Sequence, residues 1–209
     1  VSLTLIGLHI CGGSIIGYKY VLTAAHCFVN LTHPGKKIQL DILGVRSHTI
    51  DSQYGGQLHG VERLWIHRYY NSFDPASLHD VAILKLKRPV QFDAEQTWIA
   101  LQQYPIGSGH SVLSVGWGYT EDHPRLTSRK LKKVSLNTME ASVCENYLRD
   151  RVWMGRICTV APRGQGLCNG DSGGPLITRD GKLVGLVSWG ILCALGNPDV
   201  FTQVPLYYE

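Results

Sequence analysis

Short strand-like segments in two successive runs, with almost no helix between them, predict an all-β chain. Two β-barrels or a sandwich fit that pattern. Three observations carry the prediction. The 209 residues include 23 glycines and 9 prolines, which supplies the turns that many short strands need. Apolar residues recur in runs of strand length rather than at helical spacing. Hydrophobic residues make up 44% of the chain and charged residues 17%, a globular rather than a disordered balance.

In chain order, residues 1–10 and 13–22 read as strands, with Cys11-Gly12-Gly13 as the turn between them. Ala24-Ala25-His26-Cys27 follows as a short helical turn. Residues 38–45 and 58–66 alternate as strands do. Asp80 opens another strand, 80–86, which Pro89 ends. Residues 91–104 form a connector. The second run begins at 110–116, continues through 130–135 and 155–159, and closes with 175–177, 183–189 and 199–204. Residues 140–150 are the one convincing helix. No internal repeat or low-complexity segment is legible.

Basic residues exceed acidic ones by 20 − 16 = 4. They gather only at Arg129, Lys130, Lys132 and Lys133, without interleaved aromatics. A solvated loop is the reading there, and nucleic acid is not an expected partner. No apolar run reaches the ~20 residues of a membrane span, so no membrane partner is expected either. Cys11, Cys27, Cys144, Cys158, Cys168 and Cys193 are even in number and none forms a Cys-x-x-Cys pair. They predict disulfides and an oxidising compartment rather than a zinc site. Asn30-Leu31-Thr32 is a glycosylation acceptor triplet, consistent with secretion.

The chemistry centres on Gly166 to Pro175, which reads Gly-Leu-Cys-Asn-Gly-Asp-Ser-Gly-Gly-Pro. Glycines at 170, 173 and 174 let this backbone approach a ligand closely and present Ser172. The amides of Gly170 and Ser172 can converge on one oxygen, as an oxyanion hole requires. A serine hydroxyl is a weak nucleophile and needs a base. Of nine histidines, His9, His33, His48, His59, His67, His110 and His123 lie in polar or turn-like surroundings. His26 follows an apolar strand end and small alanines, and precedes a cysteine. It reads either as that base or as a core-edge histidine bonded to a backbone carbonyl. Asp80 reads either as the acid that orients the base or as a solvated strand-start carboxylate.

Taken together, Leu22-Thr23-Ala24-Ala25-His26-Cys27, His79-Asp80-Val81-Ala82-Ile83-Leu84 and Gly170-Asp171-Ser172-Gly173-Gly174-Pro175 occur in the order His, Asp, Ser. In this the chain resembles the chymotrypsin-like serine proteases of the trypsin superfamily over nearly its whole length. Val115-Gly116-Trp117-Gly118 and Val187-Ser188-Trp189-Gly190 are similar to that family as well. Arg163-Gly164-Gln165-Gly166 and Cys193-Ala194-Leu195-Gly196 look most like insect chymotrypsins.

The resemblance implies a secreted hydrolase, a serine endopeptidase acting through an acyl-enzyme. Its fold would be two antiparallel six-stranded Greek-key β-barrels with the catalytic cleft between them. Residues 1–209 would be one peptidase domain, with 1–100 in the first barrel and 101–209 in the second. His26 would serve as base, Asp80 as its orienting acid and Ser172 as nucleophile, with Gly170 and Ser172 as the oxyanion hole. Ser188 would bond Asp80, and Ser188, Trp189 and Gly190 would pair with an extended substrate. The implied disulfides are Cys11–Cys27, Cys144–Cys158 and Cys168–Cys193. Implied partners are protein or peptide substrates and protein protease inhibitors, met by a monomer that needs no cofactor and no metal. Residues 41–57 lack the paired glutamates that resemble the family's calcium loop.

Two departures from the family pattern shape further expectations. Gly166 stands where the trypsin branch carries an aspartate at the pocket floor, which predicts aromatic and large aliphatic residues before the scissile bond. Leu167 narrows the slot. Asp199 stands where the family usually has glycine; it adds tolerance of Arg and Lys if it points inward and nothing if it points to water. The family's enzymes also begin with a segment whose freed amine buries against the aspartate before the nucleophile, here Asp171. The resemblance implies that the chain is a fragment of a zymogen-derived domain, also lacking a C-terminal helix, and weakly active or inactive as it stands. The rival from another class is a non-catalytic homologue that binds or regulates; such homologues usually lose a residue of the set, and this chain keeps His26, Asp80 and Ser172.

Overall fold

The computed structural model describes residues 1–31, 39–74, 77–120, 123–148 and 155–208. The first sheet holds β1 (Ser2–Leu5), β2 (Leu8–Gly12), β3 (Ser14–Gly17), β4 (Tyr20–Thr23), β5 (Leu43–Ser47), β6 (Gln57–Ile66) and β7 (Ala82–Leu86). Its order is β2-β1-β5-β6-β7-β4-β3. β2 runs on into β3 through Gly13, and among the described residues no ladder closes the sheet there, so this unit is a half-barrel.

The second sheet holds β8 (Ala100–Leu101), β9 (Ser111–Gly116), β12 (Lys132–Met139), β13 (Arg156–Val160), β14 (Pro175–Thr178), β15 (Lys182–Gly190) and β16 (Asp199–Gln203). Pairing of β14 with both β9 and β15 closes six of these strands into a barrel. β8 adds to the edge of β15 in parallel, the exception to the antiparallel pattern. A small hairpin of β10 (Tyr119–Thr120) and β11 (His123–Thr127) stands apart. The only α-helix among the described residues, α1 (Ala141–Leu148), starts one residue after the expected 140; residues 149–150 of the expected span lie outside the described set.

Each barrel has its own apolar interior. Leu3, Val21, Phe28, Val45, Val61, Leu84 and Leu86 fill the first. Val112, Leu136, Ile157, Leu176, Val184 and Phe201 fill the second. A third cluster of Leu22, Val81, Leu183, Leu186 and Val204 joins them. Together these explain why β15 is buried from Leu183 to Ser188 without alternation. Val184 and Val187 face the barrel interior, while Leu183 and Leu186 face the first sheet. A strand covered on both sides reads as a continuous apolar run.

Three expected strands differ in detail. Residues 1–10 are a hairpin, because the chain reverses at Ile6 and Gly7, both with positive φ (51° and 81°). Residues 13–22 are likewise a hairpin, β3 and β4 turning at Tyr18-Lys19. The strand expected at 38–45 starts only at Leu43, after a 3-10 turn at Leu40–Ile42.

Candidate active site

Ser172 lies in the turn that leads into β14. The Asp171 amide donates to the Cys168 carbonyl at 3.0 Å and the Gly174 amide to the Asp171 carbonyl at 2.9 Å, which folds the segment tightly. Both barrels then clamp it. The Gly12 amide of β2 donates to the Ser172 carbonyl at 2.7 Å, and the Gly173 amide donates to the Val187 carbonyl at 2.8 Å. Gly173 sits at φ +72°, and a Cβ there would lie 2.2 Å from Thr23 Oγ1 and 2.8 Å from the Gly12 carbonyl. Both neighbours are fixed, since Thr23 Oγ1 donates to that same carbonyl at 2.8 Å. Gly173→Ala is therefore expected to cost about 2–4 kcal/mol, from the strained dihedral and the forced overlap together. Chemical denaturation followed by tryptophan fluorescence measures it; an unchanged midpoint would contradict the clamp.

His26 lies in a 3-10 helix, Ala25–Leu31, held to β2 by the Cys11–Cys27 disulfide. The sulfurs of that bridge and a ring nitrogen of His26 lie within 4.8 Å of one another. Bonded to each other, the sulfurs wall the imidazole and are not thiolate ligands for a metal. His26 Nδ1 donates to Asp80 Oδ2 at 2.7 Å, and the His26 amide donates to Oδ1 at 2.9 Å. Ser188 Oγ donates to Oδ2 at 2.6 Å.

Ser188 reaches Asp80 because of a bulge. Val187 pairs with Phe201 and Trp189 with the adjacent Val200, so Ser188 is the extra residue and its side chain is re-aimed. Asp80 is 4% exposed. Burial pushes its carboxyl up, but the His26 hydrogen bond and charge, the Ser188 hydroxyl and the His26 amide outweigh it and hold the group below its ordinary value. In the neutral imidazole a carboxylate at Nδ1 keeps the ring hydrogen on that side, so Nε2 is the nitrogen that accepts.

Asp171, next to the serine, is turned inward. Its Oδ1 accepts from the Gly118 amide at 2.8 Å and its Oδ2 from the Cys168 amide at 3.0 Å. Burial raises its pKa. A cavity of about 250 Å³ adjoins it, lined also by Gly116, Gly118 and Gly166. On the other side of the turn, His9 Nε2 donates to the Gly170 carbonyl at 2.8 Å. This fixes the tautomer, so His9 Nδ1 accepts from the Ser2 hydroxyl at 2.7 Å. Burial lowers the pKa of His9, in keeping with a neutral ring.

His26, Ser172, Ser188, Trp189, Gly190, Leu167 and Asp199 all line one cleft of about 520 Å³ between the sheets. The Cys168–Cys193 disulfide forms part of its wall. Asp199 points inward, at 7% exposure. Its Oδ2 accepts from the Leu167 amide at 3.2 Å. Gly166 sits beside it; a Cβ there would lie 3.3 Å from Asp199 Oδ2 and 3.1 Å from Ala194 Cα, so a larger residue would crowd both. Burial, with the charge of Asp171 adding to it, pushes the Asp199 carboxyl up to about 7. Leu167 is buried at the cleft's inner edge and packs into the second barrel's core. Cys144–Cys158 does not line the cleft but sits in a cluster that Trp189 packs against, and it ties α1 to β13. Asn30 lies in the 3-10 helix after His26, but Thr32 of its triplet lies outside the described residues.

Three residues at the site carry no signal in the sequence. His9 reads as one histidine among seven bland ones, yet it bonds a carbonyl 161 positions away. Thr202 Oγ1 donates to the Asp80 carbonyl at 3.0 Å. Arg156 reaches the loop that precedes Asp80. Their roles come from contacts between the barrels, which local patterns do not encode.

The family model described as Trypsin matches residues 1–209. Among curated proteins, trypsin epsilon of Drosophila erecta is 32% identical over 217 residues, covering 100% of this chain and 79% of that protein. Brachyurin of Leptuca pugilator is 32% identical over 204 residues, covering 97% of this chain and 86% of that protein. The suppressor of tumorigenicity 14 protein homolog of Bos taurus is 31% identical over 212 residues, and the chain spans 24% of that longer protein. Among solved structures, neuropsin, a serine protease expressed in the limbic system of mouse brain, superposes with a TM-score of 0.86 at 28% identity. That match covers 99% of this chain and 89% of neuropsin.

Proposed function

The chain belongs to the trypsin family and is a serine endopeptidase, and on that premise we propose that Ser172, His26 and Asp80 cleave peptide bonds through an acyl-enzyme. His26 Nε2 takes the Ser172 proton as the hydroxyl attacks the scissile carbonyl, then gives it to the leaving amine. Asp80 holds the imidazole tautomer and stabilises the imidazolium. The Gly170 and Ser172 amides receive the oxyanion. Water then repeats the sequence on the acyl-enzyme and frees Ser172. The observation that carries this reading is the buried Asp80 carboxylate, bonded through both oxygens to His26 in the cleft that Ser172 lines.

The substrate is a protein or peptide lying extended along Ser188, Trp189 and Gly190. The side chain before the scissile bond enters the cleft over Gly166 and Leu167. Gly166 and Leu167 bring no charge to that entrance, which favours aromatic and large aliphatic residues by burial worth a few kcal/mol. The inward carboxylate of Asp199 adds tolerance of Arg and Lys. Residues 1–209 form one peptidase domain divided near residue 100; the first sheet ending at Leu86 and the second beginning at Ala100 support that boundary. The enzyme works as a secreted monomer open to protein inhibitors. Three disulfides support an oxidising compartment. No helix among the described residues is long and apolar enough to cross a membrane.

Labelling of the full-length, activated protein with an organophosphate tests the assignment. One adduct is expected, on Ser172 by peptide mapping. An unlabelled Ser172 would favour a non-catalytic binding module instead.

A further inference from the structure

Arg156 opens β13, and its partner across the ladder is Thr202 of β16. Both side chains leave the second barrel for the same short segment of the first. Thr202 Oγ1 donates to the Asp80 carbonyl at 3.0 Å. Arg156 Nη2 donates to the Ser77 carbonyl at 2.7 Å, three residues upstream. That segment is internally braced: the Ser77 hydroxyl accepts from the Asn71 amide at 2.8 Å and donates to the Leu78 carbonyl at 2.9 Å. Ser77 thus ties Asn71 to Leu78 within the described residues 71–74 and 77–80.

The same guanidinium also meets Trp189, which lines the cleft. Its central carbon lies 5.7 Å from the centroid of the Trp189 ring, within cation–π range. Burial lowers the pKa of Arg156, while Asp80, Asp74 and Tyr207 act to raise it. A guanidinium keeps its charge in such surroundings. One planar group therefore bonds the first barrel through an edge and meets the Trp189 ring of the second. Methionine could fill the volume but would do neither. Lysine keeps a charge, but a single ammonium does not reproduce the planar fork.

We propose that Arg156 is a positioning residue for extended substrates, fixing Trp189 of the cleft relative to Ser77 and the described residues 77–80 that lead to Asp80. The inference rests on the serine-protease reading above. Peptide residues upstream of the scissile bond lie along Trp189, so they sense the spacing that Arg156 sets. A substrate that occupies only the pocket over Gly166 does not.

Two substrates with the same cleaved residue test this in the full-length enzyme: a tetrapeptide amide and a single-residue ester. Arg156→Met is expected to raise KM for the tetrapeptide about tenfold, the loss of one charged hydrogen bond and one ring contact, with kcat nearly unchanged. Hydrolysis of the ester should move by less than about twofold, since a tenfold effect needs contacts that the ester does not make. Arg156→Lys, which retains charge and volume, should raise the tetrapeptide KM by roughly threefold and serves as the test should the methionine variant not fold. An equal decline on both substrates would reduce Arg156 to a structural role and overturn the proposal. So would an unchanged tetrapeptide KM in either variant. A parent enzyme that hydrolyses neither substrate would instead overturn the protease reading, and this inference with it.

Discussion

Ser172→Ala in the full-length enzyme is expected to lower kcat on the order of a millionfold, because nucleophile and base act as one unit. Without Oγ there is no acyl-enzyme, and what remains is water attacking a carbonyl in a cleft that still binds substrate. His26→Ala should cost about as much, since Ser172 is then a free alcohol with no acceptor for its proton. The double variant should be hardly worse than either single one, and that non-additivity is the signature of a shared step. Asp80→Asn should fall short of these by one or two orders of magnitude, with a loss of roughly 10⁴. An amide there would offer hydrogens to His26 Nδ1 and favour the wrong tautomer. Steady-state hydrolysis of a peptide anilide, corrected for the active fraction, measures all four. Near-normal turnover in Ser172→Ala would remove the assignment.

Asp199→Gly is expected to abolish cleavage after Arg and Lys while sparing cleavage after Phe and Leu. The carboxylate is inward, buried and bonded by one neutral donor, the Leu167 amide. A substrate cation entering the cleft would pair with it and relieve its desolvation. The same burial makes the preference depend on pH. Asp199 is neutral in the empty folded protein below about 7 and charged above it. The ratio of kcat/KM for an Arg substrate to that for a Phe substrate should therefore rise with pH, about tenfold per unit below 7, and level off above. Taking the ratio cancels any pH dependence that both substrates share. A flat ratio from pH 5 to 8 would count against the inward charge as the determinant. A profile led by Arg, with Phe and Leu ignored, would sink the apolar-pocket reading.

Stability carries the opposite sign. Between the ordinary carboxyl value of 3.8 and about 7, the folded chain holds the Asp199 proton and the unfolded chain has lost it. This contribution to stability therefore falls as pH rises across that window. Asp199→Gly should remove that slope.

Much of the architecture was legible because alternation and turn residues mark each strand wherever one face is buried. In the closed six-stranded barrel β9 shows this, alternating strictly between half-buried and buried residues. Legibility failed where the chain reverses on a residue that prefers to stay extended. Ile6 is β-branched and 74% exposed, and it takes φ 51° in the turn, so residues 1–10 look like one strand. β10 and β11 escaped notice because a hairpin outside both barrels has little apolar pattern to display.

At the site, His26, Asp80 and Ser172 stood out only as a set, since each alone has an ordinary explanation. The orientation of Asp199 was open because loop carboxylates give no local sign of which way they face. His9 and Arg156 were invisible for a different reason. Their partners lie 161 and 79 positions away, and only the docking of two barrels brings them together.

The hydrogen bond from the Gly12 amide to the Ser172 carbonyl has a further consequence, for how the molecule breathes. A donor in one barrel holds the peptide unit of Ser172 in the other. That hydrogen trades with deuterium only when the nucleophile's turn lifts away from β2. Its exchange rate is thus a clock for the opening of the cleft at its chemical centre. An occupant that bridges His26 and Ser172 would slow that clock, while amides on the outer strands kept their own time.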